Sequence, residues 1–149
     1  MKTLPTFWRL VCLLSTLPAW GADLKISIPE LPKEAGKSAV IELPGLPEKA
    51  TNLEFVLVPG LGSVKPFLLA KYEVTQGQYQ ALMATNPSIF KYGPNYPVEN
   101  MAWQDAKDFC LKFNDCLGTA DKARVQLRLV MDDEWSIAVG LPEVASASA

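Results

Sequence analysis

Three short segments between residues 71 and 143 constrain the fold most strongly, because each combines an aromatic residue with the signals of a helix start. In the first segment, Thr75 suits a helix N-cap, and Gln78, three residues later, completes a capping box. The second segment predicts a helix over residues 102–114, where apolar residues recur at helical spacing. The third predicts a helix that begins near Asp132. Asn86 and Pro87 are expected to end the first helix, and Gly140 the third.

Strand signals lie before and between these helices. The apolar runs at residues 55–59 and 67–71 each predict a strand, and an alternating pattern over residues 125–130 predicts another. Residues 23–52 contain four prolines and two glycines, which favours a linker or a small hairpin. Within them, the alternations at residues 25–28 and 39–43 are typical of edge strands, where proline is tolerated nearby. Strands and helices together predict an α+β fold.

Helical spacing also predicts which side chains face the core. Ala102 and Met131, at two of the three predicted helix starts, offer no capping hydroxyl. Replacing a capping serine or threonine by alanine typically costs about 1 kcal/mol of stability. Asp132 or Asp133 is expected to substitute at the later start. The residues predicted to be buried are Tyr79, Leu82 and Met83 in the first helix, Trp103, Ala106, Phe109, Cys110 and Phe113 in the second, and Trp135, Ala138 and Val139 in the third.

Composition excludes several classes of function. The 149 residues are enough for the core of one domain. Fourteen basic and sixteen acidic side chains give a net charge of −2, without the basic cluster that binds phosphate backbones, so no nucleic-acid partner is expected. The sequence contains no histidine. This removes the commonest general base, the commonest metal ligand and every histidine-activated nucleophile.

The N-terminal 22 residues have the pattern of a secretory signal peptide. Lys2 and Arg9 provide the positive end, residues 10–17 form a short apolar core, and small residues allow cleavage after Gly21 or Ala22. The apolar run is much shorter than the roughly 20 residues that span a bilayer, so no membrane anchor is expected after cleavage. A periplasmic or extracellular location is therefore predicted. At the other end, residues 144–149 are small and predict a disordered tail.

Two cysteines, Cys110 and Cys116, remain after cleavage of such a peptide. On one continuous helix, a separation of six residues places them ~9 Å apart along the axis and ~240° apart around it. That exceeds the Cα separation of about 7 Å that a disulfide tolerates. A disulfide therefore requires the helix to end before Cys116. The alternative is a buried Cys110 and a free surface thiol at Cys116, and both interpretations stay open at this stage.

The consecutive carboxylates Asp132, Asp133 and Glu134 invite interpretation as an acid–base or calcium site. A helix N-terminus explains them better, because anions there interact favourably with the helix dipole. Calcium also needs about six or more oxygen ligands from a suitably spaced loop, and none is visible.

Four other features are better explained by structure than by chemistry. Glu73 is expected to fix the corner between a strand and a helix. Trp103 and Trp135 are expected to pack in the core rather than to stack on sugars. The glycine-containing stretch at residues 60–63 is too short for a phosphate-binding loop and predicts a turn.

The three segments read KYEVTQGQYQALM (71–83), NPSIFKYGPNYPVENMAWQDAKDFCLKFN (86–114) and LRLVMDDEWSIAVGLPE (127–143). Their order and spacing resemble the opening part of the formylglycine-generating enzyme family, also called the sulfatase-modifying factor family. The resemblance implies a loop-rich, C-type-lectin-like α+β fold over residues 53–143, incomplete at its C-terminus. Complete members oxidise a cysteine of a client sulfatase, with oxygen and with copper held by two cysteines of the second half.

No position of this chain matches those two cysteines, and Cys110 aligns with a structural cysteine of the family. The calcium sites of the family also lie largely beyond the matching region. No catalytic, cofactor-binding or metal-binding residue is therefore predicted, and copper and calcium are implied only for complete members.

Two functional hypotheses follow. The first is an exported, truncated domain of this family without catalytic activity by itself. A sulfatase-like client would be its partner. The alternative is a secreted, non-enzymatic module on a lectin-like framework that binds a protein or glycan through exposed aromatics such as Tyr92 and Tyr96.

Overall fold

A computed structural model of the protein describes residues 24–140. The signal peptide predicted for residues 1–22 and the tail predicted for residues 144–149 lie outside these residues. The elements follow one another as β1 (Ser38–Ile41), β2 (Leu53–Val58), β3 (Phe67–Ala70), α1 (Gln76–Met83), α2 (Trp103–Cys116), α3 (Thr119–Lys122) and α4 (Asp132–Ala138). No helix within the described residues is long and apolar enough to cross a membrane.

The three strands form one antiparallel sheet in the order β1-β2-β3. Ala39 lies opposite Phe55, and Phe55 lies opposite Ala70. Ala39 and Phe55 are buried, so the sheet turns one face towards the core. Sheet and helices together confirm the predicted α+β class.

Residues 24–52 pack against the rest of the domain. This stretch, predicted as a linker or a small hairpin, contributes β1 and the buried side chains of Ile26, Ile28 and Leu43. The edge strand predicted at residues 25–28 is reduced to a single parallel bridge, in which the Ile26 N–H donates to the Cys116 carbonyl (2.9 Å). The boundary at residue 52 stays a prediction.

The core forms where the sheet meets α1 and α2. Tyr79 of α1 stacks on Phe109 of α2, with ring centroids 5.6 Å apart. Phe113, only 1% exposed, is the largest fully buried side chain among the described residues. The buried cluster comprises Ile26, Ile28, Ile41, Leu43, Leu53, Phe55, Tyr79, Leu82, Phe109, Phe113, Cys116 and Leu117.

The predicted helix starts are confirmed. At α1, the Gln78 N–H donates to Thr75 Oγ1 (3.4 Å) and the Thr75 N–H donates to Gln78 Oε1 (3.0 Å), which is a complete capping box. Ala102, before α2, makes no side-chain cap, and only the reciprocal bond from its N–H to Asp105 Oδ2 (2.7 Å) forms. The residue at the third helical position can therefore compensate in part for a lost capping hydroxyl.

The predicted strand at residues 125–130 is wrong, since none of these residues belongs to a strand. The side chain of Asn114 replaces a neighbouring strand there. Its Nδ2 donates to the Leu127 carbonyl and its Oδ1 accepts from the Leu127 N–H, each at 2.8 Å. Within this alternating stretch, the backbone groups of Leu127 are therefore satisfied by one amide side chain instead of a neighbouring strand.

The predicted burial of two tryptophans is also wrong. Trp103 is 68% exposed and Trp135 is 51% exposed, and Val139 is exposed as well. Trp103 is the first residue of α2, and its ring lies 4.6 Å from the Lys107 ammonium, one helical turn later. In α4 the buried residue is Glu134, so this helix buries one carboxylate while its tryptophan is exposed.

Candidate functional site

The start of α1 is bonded to the proline-rich loop that follows it. The first N–H groups of a helix have no partner within the helix. Here those of Gln76 and Gly77 donate to the carbonyls of Tyr96 and Pro94, each at 2.8 Å. A Cβ atom at Gly77 would lie only 2.9 Å from the Pro94 carbonyl oxygen and from Ala50 Cβ, so this position needs a glycine. The contact joins the first and second sequence segments.

The buried side chain of Gln76 strengthens this junction. Its Nε2 donates to the carbonyls of Phe90 (2.8 Å) and Pro97 (3.3 Å), and its Oε1 accepts from Asn86 Nδ2 (2.9 Å). Sequence reasoning missed this residue, because glutamines are mostly exposed and nothing in the local pattern distinguishes it. The Gln76 amide is thus bonded to the loop after α1 at Asn86, at Phe90 and at Pro97.

Gln78 holds the other side of α1. Besides its role in the capping box, its Nε2 donates to the carbonyls of Thr51 (2.9 Å) and Asn52 (3.0 Å). The two glutamines therefore fasten the segment before β2 and the loop after α1 to one helix start. This arrangement positions the segments that meet at α1.

An open cleft of about 250 Å³ lies beside this junction. Glu54 in its wall forms an ion pair with Lys71 (2.9 Å), and the hydrogen bond from Lys71 lowers the pKa of the Glu54 carboxyl. Glu73, predicted to fix the strand-to-helix corner, is exposed in this cleft, and the glutamines perform that task. The cleft is lined by Thr51, Asn52, Leu53, Glu54, Tyr72, Glu73, Thr75, Gln78, Asn95 and Pro97.

The loop between α1 and α2 carries three exposed aromatic rings, Phe90, Tyr92 and Tyr96, which we call the aromatic ledge. The rings of Phe90 and Tyr92 are nearly parallel, at 10°, with centroids 5.9 Å apart. Tyr96 continues the row at 5.4 Å from Tyr92 and is tilted by 55°. Tyr92 and Tyr96 are thus close together and exposed, as expected from the sequence.

The carboxylates Asp132, Asp133 and Glu134 lie in the first turn of α4, as predicted. Asp133 Oδ1 accepts from the Glu134 N–H (2.8 Å) and so substitutes for the missing capping hydroxyl. Glu134 itself is buried and accepts two hydrogen bonds from the Arg128 guanidinium, one of them from Nη1 at 2.7 Å. It also accepts from the Met131 N–H (3.0 Å). The carboxylates of Asp133 and Glu134 thus hold the start of α4 in place.

The Arg128 hydrogen bonds lower the pKa of the Glu134 carboxyl below its ordinary value of 4.5, and the Met131 N–H adds to this effect. A carboxyl whose pKa is lower in the folded chain stabilises the fold above its ordinary pKa. That contribution is lost as the pH falls through the lowered value. The Arg128 side chain is 45% exposed, so solvent weakens the pair.

We expect Glu134→Gln to release α4 from the domain, at a cost of about 2 kcal/mol at pH 7, since it removes a charged hydrogen-bond pair. The difference from the natural chain should shrink as the pH falls from 4.5 through the lowered pKa, below which Glu134 is neutral in the folded and the unfolded chain. Hydrogen exchange of the α4 amides, measured from pH 3 to pH 7, checks this. Glu30→Gln, at an exposed ion pair, is the control. Equal effects of the two changes would contradict the prediction.

Both described cysteines are buried free thiols on α2. The helix continues through Cys116, so the geometry that a disulfide requires does not arise. The surface location suggested for Cys116 is also wrong, since it packs in the core cluster. Burial raises the pKa of the Cys110 and Cys116 thiols, which disfavours the thiolate that metals bind.

These thiols do not fit the copper site that the family resemblance implies. They are six residues apart on one helix, on different sides of it, and cannot converge on one ion. Within residues 24–140, no group of three or more cysteine, aspartate or glutamate side chains could hold a metal ion.

Fold and site define a small α+β domain whose polar groups position loops. The family of the sulfatase-modifying factor enzyme 1-like domain matches residues 60–144, which is more than half of the chain. The chain therefore belongs to the sulfatase-modifying factor family, as the three segments indicated.

A curated protein from Paenibacillus barcinonensis, chaperone protein LppX, is similar over a shorter stretch. It is 46% identical over 48 residues, which cover 32% of this chain and 17% of that protein. The chain thus spans less than a fifth of the length of this relative. No solved structure matches the chain significantly.

Proposed function

We propose that residues 24–140 form the N-terminal, structural part of a formylglycine-generating-enzyme-like domain with a C-type-lectin-like fold. In this proposal they do not by themselves catalyse the copper-dependent oxidation of a sulfatase cysteine. The observation that carries the proposal is the placement of both described cysteines inside α2, where no copper-binding pair can form. The polar groups at the start of α1 serve to fix loops.

The surface of α4 supports the same proposal. Val130, Met131, Trp135 and Val139 are all exposed there, although a tryptophan is among the side chains that gain most from burial. Glu134 of this helix is bonded to Arg128 and to the Met131 N–H, both in the segment that leads into it. Such an apolar side is suited to packing against further polypeptide of the domain. A sulfatase-like client would then be a partner of the completed domain.

The test is an oxidation assay on a cysteine-containing sulfatase peptide, with copper(I) and oxygen. The peptide is analysed by mass spectrometry for conversion of its cysteine to formylglycine. We expect no conversion with this chain and ready conversion with a complete member of the family. Titration with a thiol reagent at pH 7 should show Cys110 and Cys116 reacting slowly in the folded chain and quickly in denaturant. Turnover of the peptide by this chain would refute the proposal.

We also propose that the chain is exported to the periplasm or the exterior and cleaved after Gly21 or Ala22. The support is the N-terminal pattern of Lys2, Arg9 and a short apolar run. Mass spectrometry of the protein from fractionated cells measures the new N-terminus. An uncleaved chain in the cytoplasmic fraction would overturn this part of the proposal.

A further inference from the structure

One side of α4 is apolar and exposed. Met131, Trp135 and Val139 recur at every fourth position, so they lie in one stripe along the helix. They are 54%, 51% and 47% exposed, although a tryptophan side chain gains much from burial. Exposed apolar side chains that are grouped in this way mark contact surfaces. The helix has only seven residues, and a helix of this length depends on packing for its stability.

The chain leaves α4 through a left-handed turn. Gly140 follows the C-cap residue Val139 and has a φ of +71°, in the region that favours glycine. Its N–H donates to the carbonyl of Ile137 (3.2 Å). A left-handed residue with this hydrogen bond forms half of a Schellman motif, which a bond from the N–H of the next residue to the carbonyl of Ser136 completes.

This turn selects one occupant for the apolar side of α4. In a Schellman motif, the residue after the left-handed glycine often makes an apolar contact with the third or fourth residue from the helix end. Here the residue after the glycine is Leu141, and its partners are Ser136 and Trp135. Pro142 disfavours helical geometry at Leu141 and so favours an extended chain. Trp135 lies ~7.5 Å from Gly140 along the helix axis, and two or three extended residues cover that distance.

We propose that residues 141–143 turn back at Gly140 and cover the apolar side of α4, with the Leu141 side chain packed on the indole ring of Trp135. The polypeptide that covers this side then begins in the same chain, directly after the helix. A segment tethered so closely has a high effective concentration beside its contact, so a small contact is enough. A separate partner would lose its translational and rotational freedom on binding, which this segment does not. The contact requires neither a client nor catalysis, so its test is independent of the oxidation assay.

The test is nuclear Overhauser spectroscopy of the isotope-labelled protein, which detects protons that are in contact. We expect cross-peaks between the Leu141 methyl groups and the Trp135 indole ring. Leu141→Ser should speed hydrogen exchange of the α4 amides about tenfold, because it removes the apolar side chain that covers the helix. Gly140→Ala should weaken the cross-peaks, because alanine avoids the left-handed region. Gly140→Asn should retain most of their intensity, since asparagine tolerates that region.

Leu111→Ser, on α2, is the matched control, since it makes the same change at an exposed leucine and should leave exchange of the α4 amides unchanged. The amide spectra of α1 and α2 confirm that each variant is folded. Three outcomes would overturn the proposal. One is the absence of cross-peaks between Leu141 and Trp135 in the natural chain. Another is exchange of the α4 amides that Leu141→Ser does not change. The third is a set of Trp135 cross-peaks that join only labelled to unlabelled chains in a mixed sample, which would assign this side of α4 to a second copy.

Discussion

Phe113→Ala is expected to destabilise the domain by about 3–5 kcal/mol, the usual cost of emptying a phenylalanine site in a core. Phe113 is 1% exposed and lies in α2, the helix that packs against α1 over the buried cluster. Most domains of this size are stable by only about 5–15 kcal/mol. The change should therefore remove a large part of the total stability or prevent folding altogether. Urea unfolding, followed by circular dichroism, measures the difference.

Leu111→Ala is the control for this prediction. It deletes a similar apolar side chain from the same helix, but Leu111 is 56% exposed. Its cost should stay within about 0.5 kcal/mol, as for most surface changes. If both variants were destabilised equally, the assignment of the core to this face of α2 would be incorrect.

Gln76→Ala is expected to cost about 3 kcal/mol, because a buried donor or acceptor without its partner costs about 1–3 kcal/mol. The change leaves the Phe90 and Pro97 carbonyls and the Asn86 amide without the hydrogen bonds that Gln76 makes. The loop that carries the aromatic ledge should loosen before the core does. We expect earlier proteolysis between residues 86 and 97, together with a lower unfolding midpoint.

Gln80→Ala provides a matched control one turn later on α1, since Gln80 is exposed. Alanine has at least as high a helix propensity as glutamine, so this variant should be as stable as the natural chain. A Gln76→Ala variant with the same unfolding midpoint and the same cleavage pattern as the control would contradict the prediction. It would show that water replaces the hydrogen bonds of the amide without loss of stability.

Local signals in the sequence predicted the places where elements begin. Thr75 and Gln78 form the expected capping box, and α4 begins at the expected Asp132. These features depend on residues within one helical turn, so neighbouring positions carry all the information. The same holds for the family assignment, which rests on the order and spacing of three short segments.

Burial was predicted less well at the ends of the helices. Trp103 and Trp135 have the helical spacing of core residues, yet both are exposed. Periodicity shows that residues share a face of a helix, but it does not show whether another element covers that face. In α4, the pairing of Arg128 with Glu134 decides the orientation. Both residues belong to the third sequence segment, so their opposite charges were a signal that could have predicted the pair.

The sequence by itself determined the α+β class, the helix starts, the absence of histidine chemistry and the membership of the sulfatase-modifying factor family. Only the tertiary structure decided that Gln76 holds the aromatic loop, that Asn114 replaces a strand partner for Leu127, and that Cys116 is buried. The reason is the distance along the chain. Caps and periodicity act within a few residues, whereas each of these contacts joins residues at least ten positions apart, which only the packed fold brings together.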